Sequence, residues 1–318
     1  MEFGILGSVQ ICDTRTDLRI VPVGAKQRAL LGALVVKAGQ IVPRDRLVDE
    51  LWGEHPPSNA ANALQAHVAR LRRLLPAPAS APGQGTRHHE ALATRPTGYV
   101  LRLGGIDTDA RRFTRLAAEG RALLGADPVR AAGLLREALA LWRGAALQGS
   151  GRGTICSAEA ALLEEGRLVA LETLYDACLR AGHGREITGE LEELTIAHPL
   201  RERFHELLMS ALERCGRQAE ALRAYERARR TLVHDLGIEP GPALRARMQA
   251  ILHRQDLGAD LTAPPLPRAG PAAVPDTPGH DSDVTLLREE IVWLRHRVER
   301  LAQEQHDLLS RLDQLMPR

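Results

Sequence analysis

The sequence predicts a mainly α protein with a small β component, and three observations predict it. Short β-rich runs at the N-terminus give way, from Lys26, to apolar residues at helical spacing. Residues 105–257 keep the helical pattern, interrupted only by short breaks such as "AGHG", "AHPL", "RCGRQ" and "GIEPG". The last segment is different again, with Leu at every seventh position. Composition agrees: 44% hydrophobic residues exclude wholesale disorder, and 3% aromatics mean aliphatic cores rich in Leu and Ala.

In order, "EFGILGSVQI" and "LRIVPV" read as a small N-terminal sheet. "KQRALLGALVVKAG" reads as a helix stopped at Gly39, a residue suited to the left-handed position after a helix end. "PRDRLVDELWG" reads as a second helix, with Pro43 at its first position and Gly53 at its end. After the turn "EHPPSN", Ser58 or Asn59 is placed to cap a third helix over residues 60–75. Leu64, Val68, Leu71 and Leu75 form one stripe on that helix. A Pro/Ala/Gly-rich loop follows, then "ALATRPTGYVLRL", two strands around a Pro–Thr–Gly turn. A sheet, three helices and a hairpin over residues 1–104 outline a winged helix-turn-helix.

Residues 105–257 hold candidate helices at 108–125, 128–143, 157–182, 184–197, 200–215, 217–235 and 241–256. Short connections suit helical hairpins stacked side by side, and "GRQAEALRAYERARRTL" reads as half of a tetratricopeptide-like hairpin. Residues 258–282 have the Pro/Ala/Gly composition of a linker. Over 283–316, Leu287, Leu294, Leu301, Leu308 and Leu315 take every d position of a heptad. Val284, Ile291, Val298, Gln305 and Leu312 take a, a pattern favouring a parallel two-stranded coiled coil. Asp283 with Arg288, and Glu290 with Arg295, stand at g and e positions with opposite sign. Self-association through this zipper is expected.

The third helix carries the sharpest functional signal. Around the rest of the helix lie Asn62, Gln65, His67, Arg70, Arg72 and Arg73, with no acidic residue in the segment. A helix that enters the major groove needs this division, one face for its own domain and one with donors and acceptors for base edges. Arg70 suits a guanine, Asn62 and Gln65 an adenine, and His67, Arg72 and Arg73 suit phosphates. Residues 1–103 hold 13 Lys and Arg against 8 Asp and Glu, whereas the whole chain is only +2. The basic half is therefore the one with the candidate DNA helix.

Other chemistries find no support. "GSGRGT" at 149–154 lacks the Lys of a phosphate loop and follows no apolar strand. His88 and His89 have no further ligand at metal spacing, and no nucleophile elbow frames a serine. No cofactor, metal site or catalytic residue is expected. The four cysteines are far apart and read as buried thiols in a reducing compartment. With no signal-type N-terminus and no membrane-spanning run, a cytoplasmic protein is expected.

Three stretches together resemble the Streptomyces antibiotic regulatory protein family. They are "GAKQRALLGALVVKAGQIVPRDRLVDELWGEHPPSNAANALQAHVARLRRLL", "TRPTGYVL" and "HPLRERFHELLMSALERCGRQAEALRAYERARRTLVHDLGIEPGPALRA". The resemblance covers residues 2–256. It implies a response-regulator-type winged helix followed by a bacterial transcriptional activator domain. It also implies binding to direct repeats in double-stranded promoter DNA upstream of biosynthetic genes, and recruitment of RNA polymerase holoenzyme. By the same resemblance, Gln65, Ala66 and Arg70 face bases, while Asn62, His67 and Arg72 approach phosphate. The hairpin bearing Arg95 and Thr97 enters the minor groove. Control by nucleotide hydrolysis is not expected, because the nucleotide-binding region of the family's large members has no counterpart here, and no receiver domain precedes the winged helix. The zipper is not part of the common pattern, and residues 147–157 match it poorly. A protein-interaction scaffold and a repressor are the competing functional readings.

Overall fold

A computed structural model describes residues 2–13, 18–75, 91–103, 107–151 and 153–260. The chain begins with strands β1 (Glu2–Gly4), β2 (Gln10–Asp13) and β3 (Leu18–Ile20), each antiparallel to its predecessor. Helices α1 (Ala25–Val36), α2 (Arg44–Trp52) and α3 (Ala60–Leu74) follow, with the two-residue strand β4 (Val42–Pro43) before α2. Strands β5 (Leu92–Thr94) and β6 (Gly98–Leu101) form the hairpin, and β6 also pairs with β4 to give the order β4-β6-β5. Leu64, Val68 and Leu71 of α3 are buried against α1 and α2, so the apolar stripe read from the sequence is the inner face. This is a winged-helix arrangement.

The chain then returns to where it started. Strand β7 (Asp107–Thr108) pairs parallel to β1, completing a sheet of order β3-β2-β1-β7. Helices α4 (Asp109–Leu123), α5 (Pro128–Leu139) and α6 (Thr154–Arg180) pack in succession. So do α7 (Thr188–Ala197), α8 (Glu202–Arg214) and α9 (Gln218–Leu236), and α10 (Pro242–Asp260) folds back on α8 and α9. Small residues let these helices approach: Ala131, Ala138, Ala177, Ala211, Ala221, Ala224 and Ala228 are all fully buried. Asp127 caps α5 by accepting from the Arg130 amide at 3.0 Å, with Pro128 in the first turn. Gly237, in the left-handed region at φ 69°, ends α9.

One apolar cluster runs from Phe3 through Leu64 and Phe204 to Ile251, without a break between the winged helix and the helical half. Among the described residues, no helix is long and apolar enough to cross a membrane.

Several local expectations are corrected. Pro43 is not the first residue of α2 but ends β4, with φ −58° and ψ 148°, and the helix starts at Arg44. Proline fits an extended edge residue as well as a helix start, so sequence alone favours neither. Asn59 is at the N-cap of α3, yet its side chain makes no capping hydrogen bond. Cys156 and Cys178 are buried thiols as read, but Cys12 and Cys215 are only half-buried. Helix α10 continues through residues 258–260, where the linker was expected to begin. The rest of that linker, the coiled coil of 283–316 and its a and d residues lie outside the described residues, as do His88 and His89.

Candidate nucleic-acid interface

Helix α3 turns about 100° per residue, so its fifteen residues cover every direction. With Leu64, Val68 and Leu71 inward, Asn62, Ala66, Ala69 and Arg73 face the opposite way and Gln65 and Arg70 flank them. All six are exposed. The face presented to solvent therefore combines an amide pair, two small residues that allow close approach, and two guanidinium groups. The Arg73 guanidinium rests on the carbonyl oxygen of Ala69 at 3.4 Å.

The remaining two predicted contacts, Arg72 and His67, lie on the flanks and bind their own protein. Arg72 points to the wing: its Nε donates to the carbonyl oxygen of Leu92 at 3.0 Å and its second terminal nitrogen to Thr94 Oγ1 at 2.8 Å. It fastens the helix to strand β5. His67 points to α1 and α2. Gln27, a buried residue of α1, donates from Nε2 to His67 Nδ1 at 3.0 Å and to the His67 carbonyl oxygen at 3.2 Å. The Trp52 ring of α2 lies 5.9 Å from the imidazole, and the Lys26 ammonium sits 5.8 Å from that ring's centroid. Lys26 also donates to the carbonyl of Leu51, so a cation meets the negative end of α2. Burial, then the charges of Arg70 and Lys26, hold the His67 pKa below the usual imidazole value.

The wing ends in a tight turn. Arg95 and Gly98 exchange backbone hydrogen bonds at 2.8 and 3.2 Å, leaving Pro96 and Thr97 as the exposed tip. Gly98 is dictated by packing, because a Cβ there would stand 2.0 Å from the Val42 carbonyl oxygen. The Arg44 amide, first in α2, donates to the Thr97 carbonyl oxygen at 3.2 Å, tying the tip to the start of that helix. Arg95 is half-buried at the base of the tip, with Nη1 3.3 Å from the Thr94 carbonyl oxygen.

Behind these elements, two buried carboxylates that the sequence reading did not single out join the winged helix to the helical half. Glu50 of α2 is 4% exposed, and its two oxygens accept from the Ile155 amide at 2.7 Å and the Cys156 amide at 3.0 Å. It thereby caps α6, whose own N-cap, Gly153, has no side chain to do so. A Cβ on Gly153 would stand 2.1 Å from the Glu50 carboxyl carbon, so the glycine makes room for the acid. Asp109, the first residue of α4 and 2% exposed, accepts from the amides of Ile5 at 2.8 Å and Leu6 at 3.1 Å. Arg143 supplies its counter-charge at 2.8 Å. The "GSGRGT" stretch belongs to this junction too, for Arg28 of α1 donates to the Gly149 carbonyl oxygen at 3.0 Å.

The two halves match two families. Residues 19–101 match the family described as transcriptional regulatory protein, C terminal, and residues 108–252 match the bacterial transcriptional activator domain. The chain is 45% identical over 252 residues to the transcriptional regulator RedD of Streptomyces coelicolor, covering 79% of this chain and 70% of that one. It is 37% identical over 275 residues to the regulatory protein DnrI of Streptomyces peucetius, covering 86% of this chain and all of that one. Among solved structures, Mycobacterium tuberculosis EmbR in complex with a low-affinity phosphopeptide superposes with a TM-score of 0.71 at 34% identity. That match covers 80% of this chain and 65% of the EmbR chain, just under two-thirds of its length. These relatives are regulators of transcription and not enzymes, and the chain belongs with them to the Streptomyces antibiotic regulatory protein family.

Proposed function

We propose that the chain is a sequence-specific, DNA-binding transcriptional activator that works in the cytoplasm. Helix α3 enters the major groove, with Arg70, Gln65 and Ala66 against base edges and Asn62, Arg73 and the N–H groups of its flanks against phosphates. The wing tip at Thr97, with Arg95 behind it, follows the backbone into the minor groove. The observation that carries this reading is the exposed, acid-free outer face of α3, held between wing and α1. An incidental basic face would need no fasteners on both sides. Family membership supports the same reading.

Residues 1–104 form the DNA-binding part and 105–257 the activator part, which engages RNA polymerase holoenzyme. Stacked helical hairpins of tetratricopeptide-like type would give that part its surface. Residues 258–282 serve as a tether and 283–316 as a zipper that pairs two chains. Its core comprises Leu287, Ile291, Leu294, Val298, Leu301, Leu308, Leu312 and Leu315. The targets are direct repeats at promoters of antibiotic biosynthesis genes. Footprinting of the full chain on neighbouring promoters, with and without RNA polymerase, tests the reading. Protection of paired direct repeats, extended cooperatively by polymerase, is expected. A scaffold would protect nothing, and a repressor would exclude polymerase.

A further inference from the structure

The contact between Gln27 and His67 does more than hold two helices together. A backbone carbonyl oxygen can only accept, so the Gln27 group 3.2 Å from the His67 carbonyl must be the amide nitrogen and not the amide oxygen. The same nitrogen is 3.0 Å from Nδ1. Nδ1 must then be the acceptor, and the ring proton sits on Nε2. Protonating the ring would set Nδ1–H against the amide N–H, donor against donor. Turning the amide over would put its oxygen against the carbonyl and bury an unused NH2. Gln27 already leaves its own Oε1 buried without a partner, so the nitrogen side is held by His67 alone.

We propose that Gln27 is a positioning residue for DNA recognition, fixing His67 as the neutral Nε2–H tautomer so that it meets DNA as a single hydrogen-bond donor. This rests on the reading of α3 as the DNA-binding helix. His67 stands on the flank of α3 between the exposed face and the α1–α2 wall. The charged groups nearest it are Arg70 on its own helix and Lys26 on α1, both cationic, while α2 contributes the uncharged Trp52 ring. A second positive charge would crowd a site that already holds two. A neutral donor contributes geometry without adding to the counterions released on binding, so it tightens register and not general DNA affinity.

The test uses the full chain labelled with 15N at histidine, with the His67 resonances assigned by their loss in His67→Phe. The ring should show an acceptor Nδ1 and a protonated Nε2, unchanged from about pH 8 to about pH 6. In Gln27→Leu the ring should mix its two neutral tautomers and take up a proton at higher pH than in the parent, although burial, Arg70 and Lys26 still hold it below the free value. On promoter DNA, the parent's slope of log K against log salt should not change with pH. The Gln27→Leu slope should steepen by about 0.9 once its ring is protonated, one added phosphate neutralised. A parent ring protonated at Nδ1, or cationic at about pH 6, would overturn the proposal, as would a variant titrating like the parent. Should Gln27→Leu not fold, Gln27→Glu serves instead: its carboxylate accepts from Nδ1–H, so the ring should lose its acceptor Nδ1 and be protonated more readily than in the parent. A locked ring beside promoter binding indifferent to Arg70→Ala would remove the role on DNA and leave only the tautomer.

Discussion

The outer and inner sides of the winged helix use charge in opposite ways. Outside, Arg70, Arg73 and the amides Asn62 and Gln65 of α3 are exposed, and Arg73 rests on the Ala69 carbonyl oxygen of its own helix. Inside, Glu50 and Asp109 are almost wholly buried, and backbone amides of the other half meet both oxygens of each. A buried charge is tolerable only when fully satisfied, whereas an exposed one is available to a partner. The inner side fixes how the activator half stands on the DNA-binding half, and the outer side is left to the ligand. Changes inside should cost stability, and changes outside should cost binding alone.

The largest effect is expected at Asp109. Replacing it by Ala orphans the amides of Ile5 and Leu6 and leaves Arg143 without its partner, a loss of roughly 3–5 kcal/mol read by denaturant unfolding. Glu50→Ala uncaps α6 and should lose about 3 kcal/mol, while Glu50→Gln, which keeps one acceptor, should lose less. If both halves of the molecule kept the parent's unfolding midpoint in these variants, the inner side would not be the brace described.

Acidification should act on the inner side through a buried histidine. His205 is buried in α8, its Nε2 donating to the Pro199 carbonyl oxygen at 3.0 Å and its Nδ1 without a partner. Burial lowers its pKa, against the opposing pull of that carbonyl. The unfolded chain therefore takes up the proton first. Stability should be flat above about pH 6.5 and fall as pH drops below it, until the lower folded value is passed. His205→Gln should reduce that fall in thermal melts, leaving the share contributed by His67, whose pKa is also lowered. A pH dependence unchanged by the substitution would mean another group governs it.

Smaller effects belong outside. Arg73→Ala should weaken promoter and random DNA alike, lower the salt slope by about 0.9 and leave melting unchanged. Asn59→Ala should change stability by only a few tenths of a kcal/mol, well below the usual loss of about 1 kcal/mol for a working cap, because its side chain caps nothing. A loss of a full kcal/mol there would show a capping bond that forms in solution.

How far each side was legible follows from the range of its interactions. Helix α3 spans Ala60–Leu74 against an expected 60–75, because a 3.6-residue stripe is a local signal, and the exposure of Arg70 follows from that stripe. The partners of Glu50 are 105 and 106 positions away, and those of Asp109 are 104 and 103 away, so no spacing announces them. A fainter signal did exist. Glu50 shares the buried stripe of α2 with Leu47 and Leu51, and Gln27 shares that of α1 with Leu30, Leu31 and Leu34. A polar residue on an apolar stripe must find a partner across the interface. The division of α3 into face and flanks was harder to see. Arg72 and His67 look like phosphate ligands by type, and only the positions of Thr94 and Gln27 reveal that their first partners are internal.

If the outer face of α3 reads DNA without bearing on the fold, the decisive quantity is the affinity of Arg70→Ala for a protected promoter site relative to scrambled DNA at fixed salt. Loss of one bidentate base contact predicts a drop of about 1–3 kcal/mol on the promoter site, relaxed preference at one base position, and unchanged affinity for scrambled DNA. Equal losses on both sequences, or no loss on either, would contradict the account.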